Sequence, residues 1–358
     1  GRVDKEGESN ENFATALADS VAGIDLILYG HDHQQHAEQR VNPKGDSIFI
    51  INPANHLDRV SDVSITLHKK DGKIVSKKVE ARFTELDTYD PDEEFMKQFA
   101  PDATALEHFV KQPVVNLLTA IRTEDALFGF SDYLALIHDI QLTITGAKIS
   151  FAAPLSVTQT LPRGELTMGR MFAFYPYENY LYVMKLSGQE IKDYLEYSYS
   201  HWVNQMKSAS DHILLLEENA DPSSRFKTKY PTFNFSSAAG IDYTVDVSKP
   251  AGQRVKIEKM SSGEPFLLDD IYTVALNSYR GNGGGGLLTK GAGIPKDQLA
   301  DRILWSTIKE VRTYMIDILR SRGSVLPPLA ARPNWHFVPD YWAESAIVAD
   351  RQFLFGKQ

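Results

Sequence analysis

Five glycines fall within the six positions Gly281-Asn282-Gly283-Gly284-Gly285-Gly286. Such a run ends any regular element before it and admits positive φ at little steric cost. The chain must turn here, and its neighbours say where. Tyr272-Thr-Val-Ala-Leu276 reads as a buried strand, Asn277-Ser278-Tyr279-Arg280 follows it, and Leu287-Leu288 returns the chain to apolar surroundings. Two readings stand for the stretch. It is a flexible surface loop with a core tyrosine before it, or Tyr279 offers a flat face beside a pocket floored by bare peptide groups, which glycine lets a ligand approach closely.

At 358 residues the chain is long enough for two domains or one large one. Its net charge of −9 argues against a partner that is a nucleic-acid polymer. No apolar run approaches the roughly 18 to 20 residues that span a bilayer. The absence of cysteine excludes disulfides, thiolate metal sites and thiol nucleophiles. The first residue is Gly1, with neither a methionine nor a signal peptide, so the opening reads as cut or processed from something longer.

Apolar spacing predicts a helix over Asn10–Gly23, with Asn10 or Asn12 as its cap, and a short strand over Ile24–Tyr29. Residues 46–86 read as strands, with a hairpin turn at Lys70-Asp71-Gly72-Lys73. A helix is expected from about Asp92 to Phe99. Residues 1–86, 87–114 and 115–358 are taken as a first domain, a linker and a second domain. Beyond Val115 the pattern predicts helices at Asp132–Gln141, from Ser187 to about Tyr199, and at about Asp301–Arg320. Strands are expected at Lys148–Ala153, Tyr180–Leu186, Ile241–Val247 and Arg254–Met260. The tail from Pro327 is expected to lie against the surface. Without a strict βαβ rhythm, the body is expected to be α+β.

Gly30-His31-Asp32-His33 is the sharpest local signal for chemistry. Histidines two apart on a regular strand face opposite sides, but at a strand end with a glycine both imidazoles can converge on a metal. The plainer reading is a surface turn holding two histidines. Phe233-Asn234-Phe235 and Tyr279 form a second constellation, in which two aromatic planes hold a heterocyclic base or simply pack in the core. No Gly-x-Ser-x-Gly elbow, dinucleotide fingerprint or phosphate loop is present.

Taken together and in order, these segments resemble a known family. Gly30-His31-Asp32-His33 after an apolar strand resembles the last metal-ligand motif of the calcineurin-like metallophosphoesterases. Ser150–Pro154, Leu161–Thr167, Tyr175–Asn179, Leu186–Glu190, Phe233–Phe235, Gly240–Tyr243, Gln253–Val255 and Asn277–Gly284 resemble the C-terminal domain of the 5′-nucleotidases. The pattern, with Asn334-Trp335, is most similar to the 2′,3′-cyclic-nucleotide 2′-phosphodiesterase/3′-nucleotidase branch, which is bacterial and periplasmic or surface-attached.

The resemblance implies the remnant of an αββα metallophosphoesterase sandwich followed by an α/β domain with a mixed sheet. It implies hydrolysis of nucleotide phosphate esters by a pair of divalent ions (Zn, Mn, Fe or Co), with His31 and His33 as ligands. It also implies a small-molecule nucleotide partner, whose base lies between Phe233 and Tyr279 while Gly283 and Gly284 approach it edge-on. Asn234 and Arg280 are candidates for polar contacts. The pattern departs from the family in two places. Ala153-Pro154-Leu155 stands where many members carry Gly-Gly-x-Arg, and Gly285 replaces an aspartate common in the glycine loop. The family's other metal ligands precede Gly-His-x-His, and this chain begins after the point where they occur. It is therefore expected to be a C-terminal piece, inert alone, whose strands at 24–29 and 47–67 lack partners and rearrange, self-associate or pack on the second domain. A nucleoside-binding module without catalysis and a relative acting on nucleotide-sugar or thiosulfate-type substrates are the alternatives.

Overall fold

The computed structural model describes residues 13–217, 227–326 and 332–356. The chain divides into two compact units between Pro101 and Asp102.

The first unit contains α1 (Ala14–Ser20), β1 (Leu26–Leu28), β2 (Gln35–Val41), β3 (Ser47–Pro53), β4 (Arg59–Lys70) and β5 (Lys73–Glu85). The expected caps Asn10 and Asn12 lie outside the described residues. β1 pairs parallel with β3, and β2 pairs antiparallel on the other side of β3. Ala18 of α1 packs with Ile48 and Ile50 of β3 in a small core. β4 and β5 form a long hairpin, turned at Asp71 and Gly72 with φ of 51° and 78°. That is the geometry for which an Asp-Gly pair is suited. The expectation of strands without partners is corrected: the strands at 24–29 and 47–67 pair within this unit. The helix α2 (Glu93–Val110) runs eleven residues beyond the expected Phe99. Pro101 inside it lacks an N–H to donate but does not end it.

The second unit is built in chain order from β6 (Pro113–Leu117), β7 (Ile121–Arg122), α3 (Asp132–Thr145), β8 (Ile149–Ala152), β9 (Thr160–Leu161), β10 (Gly164–Thr167), α4 (Met168–Phe174), β11 (Leu181–Ser187) and α5 (Gly188–Trp202). It continues through β12 (Ser237–Ala239), β13 (Ile241–Asp246), β14 (Val255–Met260), β15 (Ile271–Asn277), α6 (Ser278–Gly281), β16 (Ile303–Ser306), α7 (Val311–Ser321), β17 (Val325–Leu326), β18 (Trp335–Val338) and α8 (Asp340–Phe355). Its main sheet has the order β12-β8-β15-β11-β16 and is mixed, since β8 and β15 run parallel while the other neighbours are antiparallel.

Strand alternation gives this sheet two buried faces. Ile149, Phe151, Met184, Leu186, Val274 and Leu276 face one core with Ile191, Tyr194, Leu195 and Trp202 of α5. Ala152, Leu181 and Ala275 face the other, with Leu134 and Ile137 of α3 and Met315 of α7. The mixed α+β architecture is as the sequence predicts. α5 starts in a capping box, with Ser187 Oγ accepting from Glu190 N and the Glu190 carboxylate accepting from Ser187 N.

Two expectations change. The helix predicted over Asp301–Arg320 is a strand, β16, followed by α7, because Ile303–Ser306 pairs with the free edge of β11. The tail is also more deeply placed than expected. Residues 327–331 lie outside the described residues, but Trp335 and Phe337 on β18 are buried in the core, and β18 pairs with β13.

Candidate functional site

Tyr279 owes its position to the end of β15. Asn277 caps α6, its Oδ1 accepting from Arg280 N at 2.9 Å. Ser278 N donates to the Tyr180 carbonyl at 2.7 Å, and Ser278 Oγ accepts from Tyr180 N at 3.1 Å. Tyr279 therefore sits in a single helical turn fastened on both sides, and the residue is 42% exposed. The glycines then reverse the chain, with Gly283, Gly285 and Gly286 at φ of 94°, 71° and 75°. Leu287 and Leu288, both fully buried, pin the far end in the core. The stretch is thus a packed turn.

Its glycines are required by close approach as well as by φ. A Cβ on Gly284 would stand 2.5 and 2.6 Å from ring carbons of Tyr279 and 2.6 Å from the Tyr279 carbonyl oxygen. Within this site the bare peptide is a bed for Tyr279.

Phe233 sits in a 3₁₀ turn over Thr232–Asn234 after Pro231. Both flanks are anchored. Thr232 Oγ1 donates to the Pro154 carbonyl at 3.0 Å, and the buried Phe235 stacks on Trp202 at 5.1 Å with planes 9° apart. Phe233, between two fixed residues, is left half-buried and faces Tyr279.

The structure brings Phe233 and Tyr279 together from distant parts of the sequence, with ring centroids 6.4 Å apart and planes crossed at 79°. Two rings gripping a flat base stand about 7 Å apart, twice the van der Waals contact of aromatic carbons. The spacing is near that value, but the rings meet edge to face. Asn234 borders the pair, its Oδ1 accepting a long 3.4 Å hydrogen bond from the Tyr279 hydroxyl. Arg280 is 3% exposed and directs its guanidinium at the Phe233 and Gly284 carbonyls, each at 2.7 Å. Tyr177 was not singled out by the sequence, yet it lies edge to face on Phe233 at 6.1 Å and 68°. Its signal is the sequence Tyr175-Pro176-Tyr177, in which proline favours a turn. Tyr175 is buried, and that burial pushes its phenol up to about 12.

In the first unit, His31 and His33 follow β1 with positive φ, 80° and 58°, and both are exposed. Asp32 between them is anchored: its Oδ1 accepts from Asn52 Nδ2 at 2.6 Å and from Gln34 N at 3.2 Å. The buried Asn52 thereby fastens this turn to the end of β3. His36 faces Glu38 at 3.4 Å on β2. Among the described residues, no three His, Asp or Glu side chains gather as a metal site. Two imidazoles do not by themselves fit the pair of divalent ions that the resemblance implies. No described helix is long and apolar enough to cross a membrane.

Residues 119–290 match the family described as 5′-nucleotidase, C-terminal domain. The chain is 24% identical, over 94% of its length, to a quarter (25%) of the trifunctional nucleotide phosphoesterase of Bacillus subtilis. It is 25% identical, over 89% of its length, to 54% of the 2′,3′-cyclic-nucleotide 2′-phosphodiesterase/3′-nucleotidase of Salmonella typhimurium. The chain therefore spans about half, or less, of the length of these relatives. Among solved structures, a Staphylococcus aureus protein described as a 5′-nucleotidase superposes with a TM-score of 0.66 at 22% identity, over 91% of this chain and 59% of that one. That likeness establishes the fold.

Proposed function

We propose, for a chain that matches the 5′-nucleotidase family through its C-terminal domain, that it is the nucleoside-recognising part of a nucleotide phosphoester hydrolase. One observation carries the reading: Phe233 and Tyr279 oppose each other at 6.4 Å on two anchored turns. Stacking a base on an aromatic side chain contributes about 1 to 3 kcal/mol per contact. Turning one ring from crossed to parallel forfeits about 0.5 to 1.5 kcal/mol of ring–ring attraction. Two stacks outweigh that loss. Tyr279, with its outer face in solvent and a 3.4 Å hydrogen bond to give up, is the ring that turns. Asn234 Oδ1, released from the Tyr279 hydroxyl, then accepts from a base amine or sugar hydroxyl. The peptide groups of Gly283 and Gly284 line the edge of the cleft.

The substrates are 2′,3′-cyclic nucleotides and 3′- or 5′-nucleotides, handled by a longer protein in the periplasm or at the cell surface. His31 and His33 are the residues of this chain that would contribute to divalent-ion sites in such a protein. Alone, this chain binds nucleoside and releases no phosphate. Adenosine saturation-transfer NMR with and without EDTA, beside a phosphate-release assay on 3′-AMP and 2′,3′-cyclic AMP with added Mn²⁺ or Zn²⁺, tests this. Chelator-insensitive binding with no phosphate released is expected. Absence of adenosine binding contradicts the recognition role, and sustained turnover contradicts the inert one.

A further inference from the structure

The proposed base site is made from two turns that share no strand pairing, one carrying Phe233 and the other Tyr279. Arg280 spans them. Its Nη2 donates to the Phe233 carbonyl and its Nη1 to the Gly284 carbonyl, both at 2.7 Å. Its guanidinium carbon lies 5.5 Å from the centre of the Tyr279 ring. Its own backbone N–H is fixed by Asn277. A guanidinium is a planar fork with donors in set directions, so two acceptors held by it stand at one spacing, whereas an ammonium offers a point charge with no fixed span.

The glycine run makes room for this fork. A Cβ on Gly285 would stand 2.2 Å from Arg280 Nη1 and 2.5 Å from Asn234 Oδ1. The space a side chain at position 285 would take is thus filled by Arg280 and Asn234. At 3% exposure, and with both terminal nitrogens committed to carbonyls, Arg280 has little surface left to offer a ligand.

We propose that Arg280 is a positioning residue: it sets the spacing of Phe233 and Tyr279 by tying the Phe233 carbonyl to the Gly284 carbonyl, and it acts on a bound nucleoside only through those rings. This rests on the base-clamp reading above, but the ring spacing can be measured without any ligand.

The test uses Arg280→Gln and Arg280→Lys in the full 358-residue chain, each alone and combined with Phe233→Leu. Two quantities are read: ring-to-ring nuclear Overhauser effects between labelled Phe233 and Tyr279 in the free protein, and adenosine affinity by calorimetry. Arg280→Gln is expected to remove the ring contact and weaken adenosine about tenfold, with Arg280→Lys intermediate. In the Phe233→Leu background the same substitutions should cost less than about twofold, because the ring being positioned is gone. Unchanged ring contacts in Arg280→Gln overturn the proposal. So do equal losses of affinity with and without Phe233, which would make Arg280 a general scaffold residue. If the unsubstituted chain takes up no adenosine, the clamp reading fails, and the ring contacts alone decide the role of Arg280. If Arg280→Gln does not fold, Arg280→Lys carries both measurements.

Discussion

Acidification should destabilise the second unit through one buried histidine. His138 on α3 hydrogen-bonds through Nδ1 to Ser150 Oγ at 2.9 Å and through Nε2 to Ser237 Oγ at 3.2 Å. Ser150 Oγ in turn donates to Gln141 Oε1 at 3.0 Å. That leaves Ser150 to accept from His138, so we assign the neutral tautomer with its proton on Nδ1 and with Nε2 accepting from Ser237. Burial pushes this imidazole down to about 3. In the unfolded chain it titrates near the ordinary 6.5. The unfolded state therefore binds the extra proton as pH falls below 6.5, and stability is lost on the acid side. From pH 7 to pH 5 the loss is about 2 kcal/mol, from roughly 1.4 kcal/mol per unit of pH below 6.5. At pH 5 the folded-state histidine is still neutral, so the whole of this loss comes from protonation of the unfolded chain. The assay is guanidinium unfolding followed by tryptophan fluorescence at pH 7, 6 and 5. All four tryptophans (Trp202, Trp305, Trp335 and Trp342) lie in the second unit, so the signal reports on it alone. His138→Gln keeps a donor and an acceptor but does not titrate. Its stability should fall with pH by about 2 kcal/mol less than that of the parent chain, whatever its offset at pH 7. Parallel pH profiles for the two proteins would refute the reasoning.

Three further outcomes are expected. Gly240→Ala should cost about 3 kcal/mol or more in the same unfolding assay, since φ is +91° and the new Cβ would stand 2.1 Å from the Lys148 carbonyl oxygen of the neighbouring backbone. Glu196→Ala should cost about 2 to 4 kcal/mol, because the buried carboxylate accepts from Arg254 N at 3.0 Å and Val255 N at 2.8 Å, and its removal takes the acceptor from both amides. Gly284→Ala should displace both the Tyr279 ring and the backbone beneath it, lowering stability and weakening adenosine by about tenfold in a calorimetric titration. An affinity equal to the parent's would show that Tyr279 tolerates the displacement.

Much of this was legible in the sequence where a local rule decided the outcome. The Asp71-Gly72 hairpin, the Ser187–Glu190 capping box and the strand before Tyr279 each follow from residue type and spacing within a few positions. Ile303–Ser306 was not legible, because its apolar spacing also suits a helix and only the open edge of β11 selects the strand. The pairing of β1 and β2 with β3 likewise depends on contacts across the first unit. At the site, Phe233 and Tyr279 could be named from motif, but their crossed arrangement could not. Nor could the use of Arg280, whose partner is the carbonyl of a residue 47 positions away. A charged residue beside a glycine turn suggests ligand contact until burial and its two carbonyl bonds are seen.

The central claim, that Phe233 and Tyr279 hold a base between them, is tested most directly by calorimetric titration of adenosine into the chain and into its Phe233→Ala and Tyr279→Ala variants. Saturable binding is expected in the parent, with a loss of about 1 to 3 kcal/mol per removed ring, or roughly 5- to 150-fold. Circular dichroism should show both variants folded. Adenosine binding that survives both substitutions at the parent's affinity would contradict the account.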